Sequence, residues 1–461
     1  MPVLRTYVLP HPPLAIPGVG RGQEQKISGT LAALDAVARE IAQAAPDTLI
    51  FITPHSTVYQ DYFHISPGAH ARGDLSSFGA RDIRFETTYD TELAQMIARK
   101  AQAAGIHAGT RGERDARLDH GVMVAMWYIN RHCAAYRSVR VSASGLGAQE
   151  HYRLGQCICE AAEDTGRRIV LVASGDLSHK LAADGPYGYA PEGALFDRAV
   201  TEALAAGDFQ ALFMMTDVLR EKAAECGYSP IMALAGCLDR LSVTPKLLSY
   251  EGPFGVGYAV VSLTPGRTDE TRAFLDRYRD RLLDTVRKRR AAENAYCGLA
   301  RRSLEHQVLR HTPLPLPDDL PADMTACRAG VFVSLHLDGR LRGCIGTLAP
   351  AADHIGLEIM HNAVSAGLFD SRFEPVTAEE LEWIDYKVDI LSPPETISGP
   401  EALDVKRYGV IVSNGSKRGL LLPDLEGVDT VEEQIRIARR KANIPENAPV
   451  KLERFLVMRY A

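Results

Sequence analysis

Four histidines stand where apolar segments break into polar ones: His11, His55, His120 and His179. Imidazole ligates metal ions and titrates near neutral pH, so such a set offers either a metal site or acid–base chemistry. Two of the four lie in matching strings, Leu9-Pro10-His11-Pro12 and Thr53-Pro54-His55-Ser56. Any one of these residues is read most simply as a hydrogen-bonded structural histidine; the repetition favours a function. If the strands that carry His11 and His55 are neighbours in a parallel sheet, about 5 Å apart, the two imidazoles share one ion. Two histidines and a carboxylate leave half of an octahedral Fe(II) shell open, as O2 and a bidentate substrate require. Glu225 is the candidate carboxylate. Its neighbour Cys226 is the alternative, because a thiolate also binds iron or zinc. Adjacent residues seldom point the same way, so only one of the pair is expected to bind. His179, in Asp176-Leu177-Ser178-His179, suits general acid–base work with Asp176 orienting its ring. His120, in Leu118-Asp119-His120-Gly121, is a candidate hydrogen-bond donor to a developing oxyanion. Far along the chain, Cys344 lies in Leu341-Arg342-Gly343-Cys344-Ile345-Gly346-Thr347. Glycines there allow close backbone approach, and Arg342 is placed to lower the thiol pKa.

Three apolar runs carry these breaks. Residues 4–9 run into His11, 48–53 into His55, and 169–172 into Ser174-Gly175-Asp176. The last, Ile169-Val170-Leu171-Val172, reads as a central strand of a parallel sheet buried on both faces. A polar break directly after a buried strand is where open α/β sheets place their ligand sites. Apolar residues at helical spacing predict helices over 28–44, 90–104, 122–129, 149–165, 191–206 and 209–215. Ser229-Pro230 marks the start of another, running to about residue 239. Strands are expected at 57–66, 82–87, 138–142, 246–250 and 257–263. The first domain is therefore read as α/β, a largely parallel central sheet flanked by helices, over residues 1–265.

The character changes after that. Residues 266–284 are read as a charged helical linker; the charged stretch 268–290 carries an apolar stripe, Phe274, Tyr278, Leu282 and Val286, that recurs every four residues. A second domain occupies 285–461, with alternating strands at 331–337 and 409–413 and a helix at 353–366. No repeat relates the two halves.

With 461 residues, the chain is long for one core. It is 46% hydrophobic and 24% charged, as a soluble globular protein is. A net charge of −6 gives no electrostatic case for nucleic acid or an anionic membrane as partner. No apolar run approaches the length of a membrane span, and the N-terminus lacks a signal-peptide apolar region, so the expected compartment is cytoplasmic. The eight cysteines are read mostly as buried thiols; Cys157 and Cys159 form a CxC without a second pair.

LPHPP, TPHS, LDHG and SGDLSH, in this order, resemble the class III extradiol ring-cleavage dioxygenases of the LigB type and the Memo-like branch of that superfamily. The resemblance spans roughly residues 1–265. It implies that His11 and His55 bind Fe(II), that His179 is the acid–base residue, and that the third ligand is a later glutamate, as in the dioxygenases, or the cysteine of a CG segment, as in Memo-like proteins. This chain offers both, Glu225 and Cys226. LRGCIGT, FDSRFEP and GLLLP resemble the AMMECR family over 285–461, which implies an α+β fold and no established reaction. The fusion of the two resembles the AmmeMemoRadiSam system, in which a radical SAM protein accompanies these modules. The chain has no CxxxCxxC motif, so that protein would be a separate partner. The reading that follows is an Fe(II)-dependent oxygenase acting on a small catechol-like substrate, with its oligomeric state open. The alternatives are a non-catalytic metal-binding scaffold or carrier and a zinc-dependent hydrolase, with zinc or copper in place of iron.

Overall fold

The structure is a computed structural model that describes residues 2–461 apart from 113–116, 134, 338 and 426. It divides into two compact units, residues 1–278 and 279–461.

In the first unit the strands are β1 (Val3–Leu9), β2 (Thr48–Thr53), β3 (Phe63–His64), β4 (His70–Leu75), β5 (Ala80–Thr88), β6 (Ala108–Gly109), β7 (Arg137–Ser142), β8 (Ile169–Ser174), β9 (Leu241–Glu251) and β10 (Tyr258–Thr268). Six of them form one sheet in the order β7-β2-β8-β1-β10-β9. The first four run parallel, and β10 and β9 close the sheet antiparallel. Every residue of β2 and β8 is buried, as helices on both faces of a parallel sheet require. The Ser28–Ala44 helix lays Leu34, Val37, Ala38 and Ile41 against the sheet, at the helical spacing read from the sequence.

Three local readings change. Over 57–66 the regular strand is only Phe63–His64, paired with β6, with Ile65 bridging to Val141 of β7; residues 57–62 are a largely polar loop. The stretch expected as one strand at 82–87 belongs to a hairpin, β4 against β5. The sequence of β4, HARGDL, has no β-branched residue, and only Ala71 and Leu75 are buried, so its pattern is weak. At the far edge β9 begins five residues earlier than expected and contains Pro245, which an edge strand tolerates because one side of it has no ladder partner. His11 and His55 are also not on neighbouring strands: β8 lies between β1 and β2.

In the second unit the strands are β11 (Gly330–Leu337), β12 (Arg340–Gly346), β13 (Ile384–Leu391), β14 (Glu395–Ile397), β15 (Gly409–Asn414), β16 (Lys417–Leu421), β17 (Lys451–Phe455) and β18 (Val457–Tyr460). They form two antiparallel sheets, β12-β11-β13-β18 and β14-β17-β15-β16. Helices Ala295–Arg310 and Ile355–Leu368 bury Leu299, Leu304, Ile359 and Ala363 with Val331, Val333 and Leu335 of the first sheet. The helix Val431–Lys441 packs Ala438 with Val410 and Val412 of the second. Neither Ala295–Arg310 nor Val431–Lys441 is read from the sequence; their dense charges mask the apolar stripe.

The charged stretch holds the end of β10 and a helix, Phe274–Ala292. Its expected stripe is packed: Phe274, Tyr278 and Val286 are buried, and Tyr278 stacks on Phe213 at 4.7 Å. Among the described residues no helix is long and apolar enough to cross a membrane.

We propose that the two units fold independently. Fragments 1–278 and 279–461 should each be soluble and unfold cooperatively in urea. Aggregation of both fragments beside a stable full chain would show a shared core.

Candidate metal centre

The polar end of β8 organises the site. Leu9 of β1 is level with Ser174 of β8, so the chain that leaves β1 passes beside the Ser174-Gly175-Asp176 turn. There the main-chain N–H of His11 donates to Asp176 Oδ1 at 2.8 Å, and the His11 ring sets Nδ1 2.9 Å from Ser174 Oγ. The Ser174 hydroxyl donates its own proton to the Gly121 carbonyl at 2.6 Å. Ser174 Oγ therefore accepts from His11, which places the ring proton on Nδ1 and leaves the Nε2 lone pair bare.

That lone pair faces His55 Nε2 at 3.0 Å. Two strand spacings separate β1 from β2, roughly 10 Å, and two imidazole side chains span this across the end of the intervening strand. His55 is delivered by a second set of bonds. Its N–H donates to Thr53 Oγ1 at 3.2 Å, and the Thr53 hydroxyl donates to Asp119 Oδ1 at 2.7 Å. Asp119 also caps the His120–Ile129 helix and pairs with the buried Arg140 at 3.3 Å. One carboxylate thus ties the end of β2 to the helix that begins at His120.

Cys226 completes the cluster. Its Sγ lies 3.6 Å from His11 Nε2 and accepts from the Asp176 N–H at 3.3 Å. The ligand atoms of His11, His55 and Cys226 lie within 4.8 Å of one another, and they are the cluster of metal-ligand type among the described residues. Around a tetrahedral zinc with bonds of about 2.0–2.1 Å to nitrogen and 2.3 Å to sulfur, ligand separations are about 3.3 Å for N–N and 3.6 Å for N–S. The His11–His55 and His11–Cys226 separations are close to those values, as donors to one first-row divalent ion would be. Two glycines make the approach feasible: a Cβ on Gly175 would sit 2.2 Å from the Gly227 Cα.

Glu225 is turned elsewhere. Its carboxylate accepts from Arg220 Nε at 3.0 Å and from the Tyr228 N–H at 2.7 Å, which fastens the start of the Tyr228–Cys237 helix. His120 lies beside the cluster, its ring centroid 4.1 Å from that of His55 and 5.2 Å from that of His11. The Nδ1 of His179 is bonded to the Ala224 carbonyl, and its ring meets the exposed ring of Tyr187 at 5.0 Å. Asp176 was expected to orient His179; it holds the His11 main chain instead, and the Ala224 carbonyl fixes the His179 ring. Cys344 lies in the second unit, on β12. Arg342, the expected activator of that thiol, is forked onto Glu380 at 2.7 and 3.0 Å.

Sequence reasoning missed Ser174 and Asp119 as orienting groups, Phe78 as a wall and Tyr187 as the neighbour of the His179 ring. Ser174 and Asp119 lie inside the strings SGDLSH and LDHG, but only their partners reveal what they do. Phe78, from the β4–β5 turn, meets the His120 ring at 5.5 Å. It lines an open cleft of about 1180 Å³ together with His55, His120, Arg72, Arg84 and Asp119.

Burial dominates the electrostatics. It pushes His11 well below the usual histidine range, with the charges of His55, His120 and His179 adding to the effect. It brings His55 down to about 4 and lowers His120 and His179. Burial also raises the Cys226 thiol well above the free-cysteine range and Asp176 to about 7. The imidazoles are thus neutral and ready to ligate, while the thiol needs a cation beside it to ionise.

Two family models match the chain: "Catalytic LigB subunit of aromatic ring-opening dioxygenase" over residues 5–261, and AMMECR1 over residues 297–461. A protein of Clostridium acetobutylicum is 39% identical, with 98% of each chain covered. A Thermotoga maritima protein is 52% identical over 36% of this chain and 98% of its own. The crystal structure of protein PH0010 from Pyrococcus horikoshii is 31% identical and covers 36% of this chain and 88% of its own, with a TM-score of 0.34.

The histidine shifts carry a pH prediction for the metal-stripped protein. Between pH 6.5 and about 4 the unfolded chain protonates a histidine at position 55 that the folded chain keeps neutral, so stability falls as pH falls through that window. Asp176, raised by burial, acts with the opposite sign, and the test is therefore a difference. His55→Gln should flatten the loss of urea midpoint as pH falls from 6.5 to about 4, by less than the full shift because the ring is open to solvent. An unchanged slope would show that His55 titrates normally in the fold.

Proposed function

Because the chain belongs to the family of the catalytic LigB subunit of aromatic ring-opening dioxygenases, with an AMMECR1 domain at 297–461, we propose that its first unit is a metal-dependent oxygenase acting on a small catechol-like substrate. One observation carries the reading: His11 Nε2, its proton fixed on the far nitrogen by Ser174, faces both His55 Nε2 and Cys226 Sγ. Bare lone pairs at that spacing repel unless a proton or a cation lies between them. His11, His55 and Cys226 would hold the ion, and Fe(II) is the assignment we favour. Iron bound there would supply the open positions at which a catechol-like substrate and O2 meet.

The chain's own residues do the rest. Asp176 and Ser174 fix His11, and Asp119 fixes the approach of His55 through Thr53. His179, neutral and with Nδ1 engaged by Ala224, presents Nε2 as the group that takes a proton from a substrate hydroxyl and returns it later. His120 flanks the same space as a hydrogen-bond donor. The cleft beside His55 and His120 has the room for a small substrate. A reducing compartment such as the cytoplasm keeps the Cys226 thiol available, and a separate radical SAM protein is the partner proposed for the fused modules.

The sulfur donor favours a second reading. A thiolate where the dioxygenases have a glutamate suits zinc or copper as well as iron, so the unit would then be a metal-binding carrier or a zinc-dependent hydrolase.

Elemental analysis after anaerobic purification should find one metal per chain. Cys226→Ala and His11→Ala should each remove it, while Glu225→Gln keeps it and lowers thermal stability by about 1–3 kcal/mol through the lost Arg220 and Tyr228 bonds. Metal retained in Cys226→Ala and lost in Glu225→Gln would reverse the ligand assignment. Zinc with esterase activity would select the hydrolase.

For His179→Gln the expected result is full metal content with catechol-dependent O2 uptake lower by about 10²–10⁴-fold. Loss of the metal would make His179 a ligand, and normal uptake would end its catalytic role.

A further inference from the structure

The supports of His11 and His55 meet at one residue. Thr53, which accepts from the His55 N–H, and Ser174, which sets the His11 proton, are the last residues of the neighbouring strands β2 and β8. Gly121 lies where their hydroxyls approach the Asp119 carboxylate. A Cβ on Gly121 would sit 2.5 Å from Thr53 Oγ1, 2.9 Å from Asp119 Oδ1 and 3.3 Å from Ser174 Oγ. Its carbonyl accepts the Ser174 hydroxyl proton at 2.6 Å. Gly121 therefore serves His11 with its carbonyl and His55 with the space left by its missing side chain.

The helix that carries Gly121 has no room to give way. His120–Ile129 is buried continuously from Gly121 to Met126. Met123 lies about 200° round the helix from Gly121, on the opposite face. There the hairpin strand β4 closes in: a Cβ on Gly73 would sit 2.6 Å from the Met123 sulfur and 2.9 Å from Leu118 Cβ. At the far end the Tyr128 hydroxyl donates to the Ala15 carbonyl at 2.5 Å. The helix is thus held between two strand ends on one face and a hairpin on the other.

Chain conformation does not call for glycine here. Residue 121 is helical, outside the set of positive-φ glycines, and alanine is the better helix former. The close approach calls for it. A methyl group at 121 would turn the Thr53 hydroxyl away from Asp119, or push the helix back and stretch the bond to Ser174. The first outcome releases the His55 main chain, and the second frees the His11 ring proton.

We propose that Gly121 is the positioning residue that sets His11 and His55 together, so that metal affinity depends on a residue that offers no ligand atom to the cluster. It acts through Thr53 and Ser174, whose bonds orient the two imidazoles. This rests on the reading of the cluster as a metal centre.

The test is anaerobic titration of Co(II) into the metal-stripped full chain, followed by visible absorption. Gly121→Ala should bind Co(II) about 10–100-fold more weakly than the wild type. At saturation its absorption bands should be shifted, because the imidazoles meet the ion at altered angles. A merely structural glycine would lower the melting temperature and leave the Co(II) spectrum unmoved. Thr53→Ala, which removes the hydroxyl that the new methyl meets, should also weaken binding. The double variant should lose no more than the weaker of the two single variants, since both changes act through one contact. Should Gly121→Ala alone fail to fold, adding Thr53→Ala should restore folding. Wild-type affinity and spectrum in Gly121→Ala, losses that multiply in the double variant, or a double variant that still does not fold would each overturn the proposal. A wild-type chain that binds no Co(II) would overturn the metal-centre reading itself.

Discussion

The first unit depends on where one proton sits. The ring of His11 can offer a lone pair to the cluster only while its other nitrogen carries hydrogen, and that is decided by Ser174, whose own proton is committed to the Gly121 carbonyl. The chain of bonds begins at a main-chain carbonyl, so it does not depend on the pH of the medium. Asp176, in the same turn, fixes the His11 backbone. Two residues of one strand end thereby determine both the position and the protonation of the buried imidazole. Burial completes the effect by keeping all four histidines neutral in the physiological range.

Much of this was legible in the sequence, for a definite reason. Apolar runs that end in polar residues reflect a parallel sheet covered on both faces, and β1, β2 and β8 all follow that rule. The histidines at their ends were therefore visible as a set. The strand order was not, because hydrophobic pattern carries no information about which buried strand lies between two others. The choice between Glu225 and Cys226 was equally hidden. It turns on Arg220, five residues upstream, and on the Tyr228 N–H, which together draw the carboxylate away from His11. For the same reason Arg342 was a poor guide at Cys344: sequence proximity is outweighed by a forked bond to Glu380, thirty-eight positions on.

The two units solve a shared problem differently. Each holds a cysteine sulfur in a fixed place. In the first unit Cys226 is held by a turn packed on the end of β8 and receives the Asp176 N–H. In the second, Cys344 is held by its main chain through Asp370 and Arg372, and a serine hydroxyl reaches the sulfur from the next strand. The first thiol is half-buried beside neutral imidazoles, and desolvation keeps it protonated in the absence of a cation. The second is half-buried on the edge strand of its sheet, beside Ser334 and the Asp370–Arg372 ion pair.

The contact between Gly175 and Gly227 bears on how such a centre changes over generations. A side chain at either glycine would collide with the opposite backbone, Gly175 with the Gly227 Cα and Gly227 with the Asp176 carbonyl oxygen. Neither can be replaced without moving the turn that presents residue 226. Position 226 is under no such backbone restriction, since serine or alanine, no larger than cysteine, would fit the same backbone. The frame is thus rigid in ancestry and the donor is free to vary. Under the proposed ligand set, a lineage would exchange one metal preference for another by a single substitution at residue 226, while the two glycines beside it would mark every descendant that still uses the site.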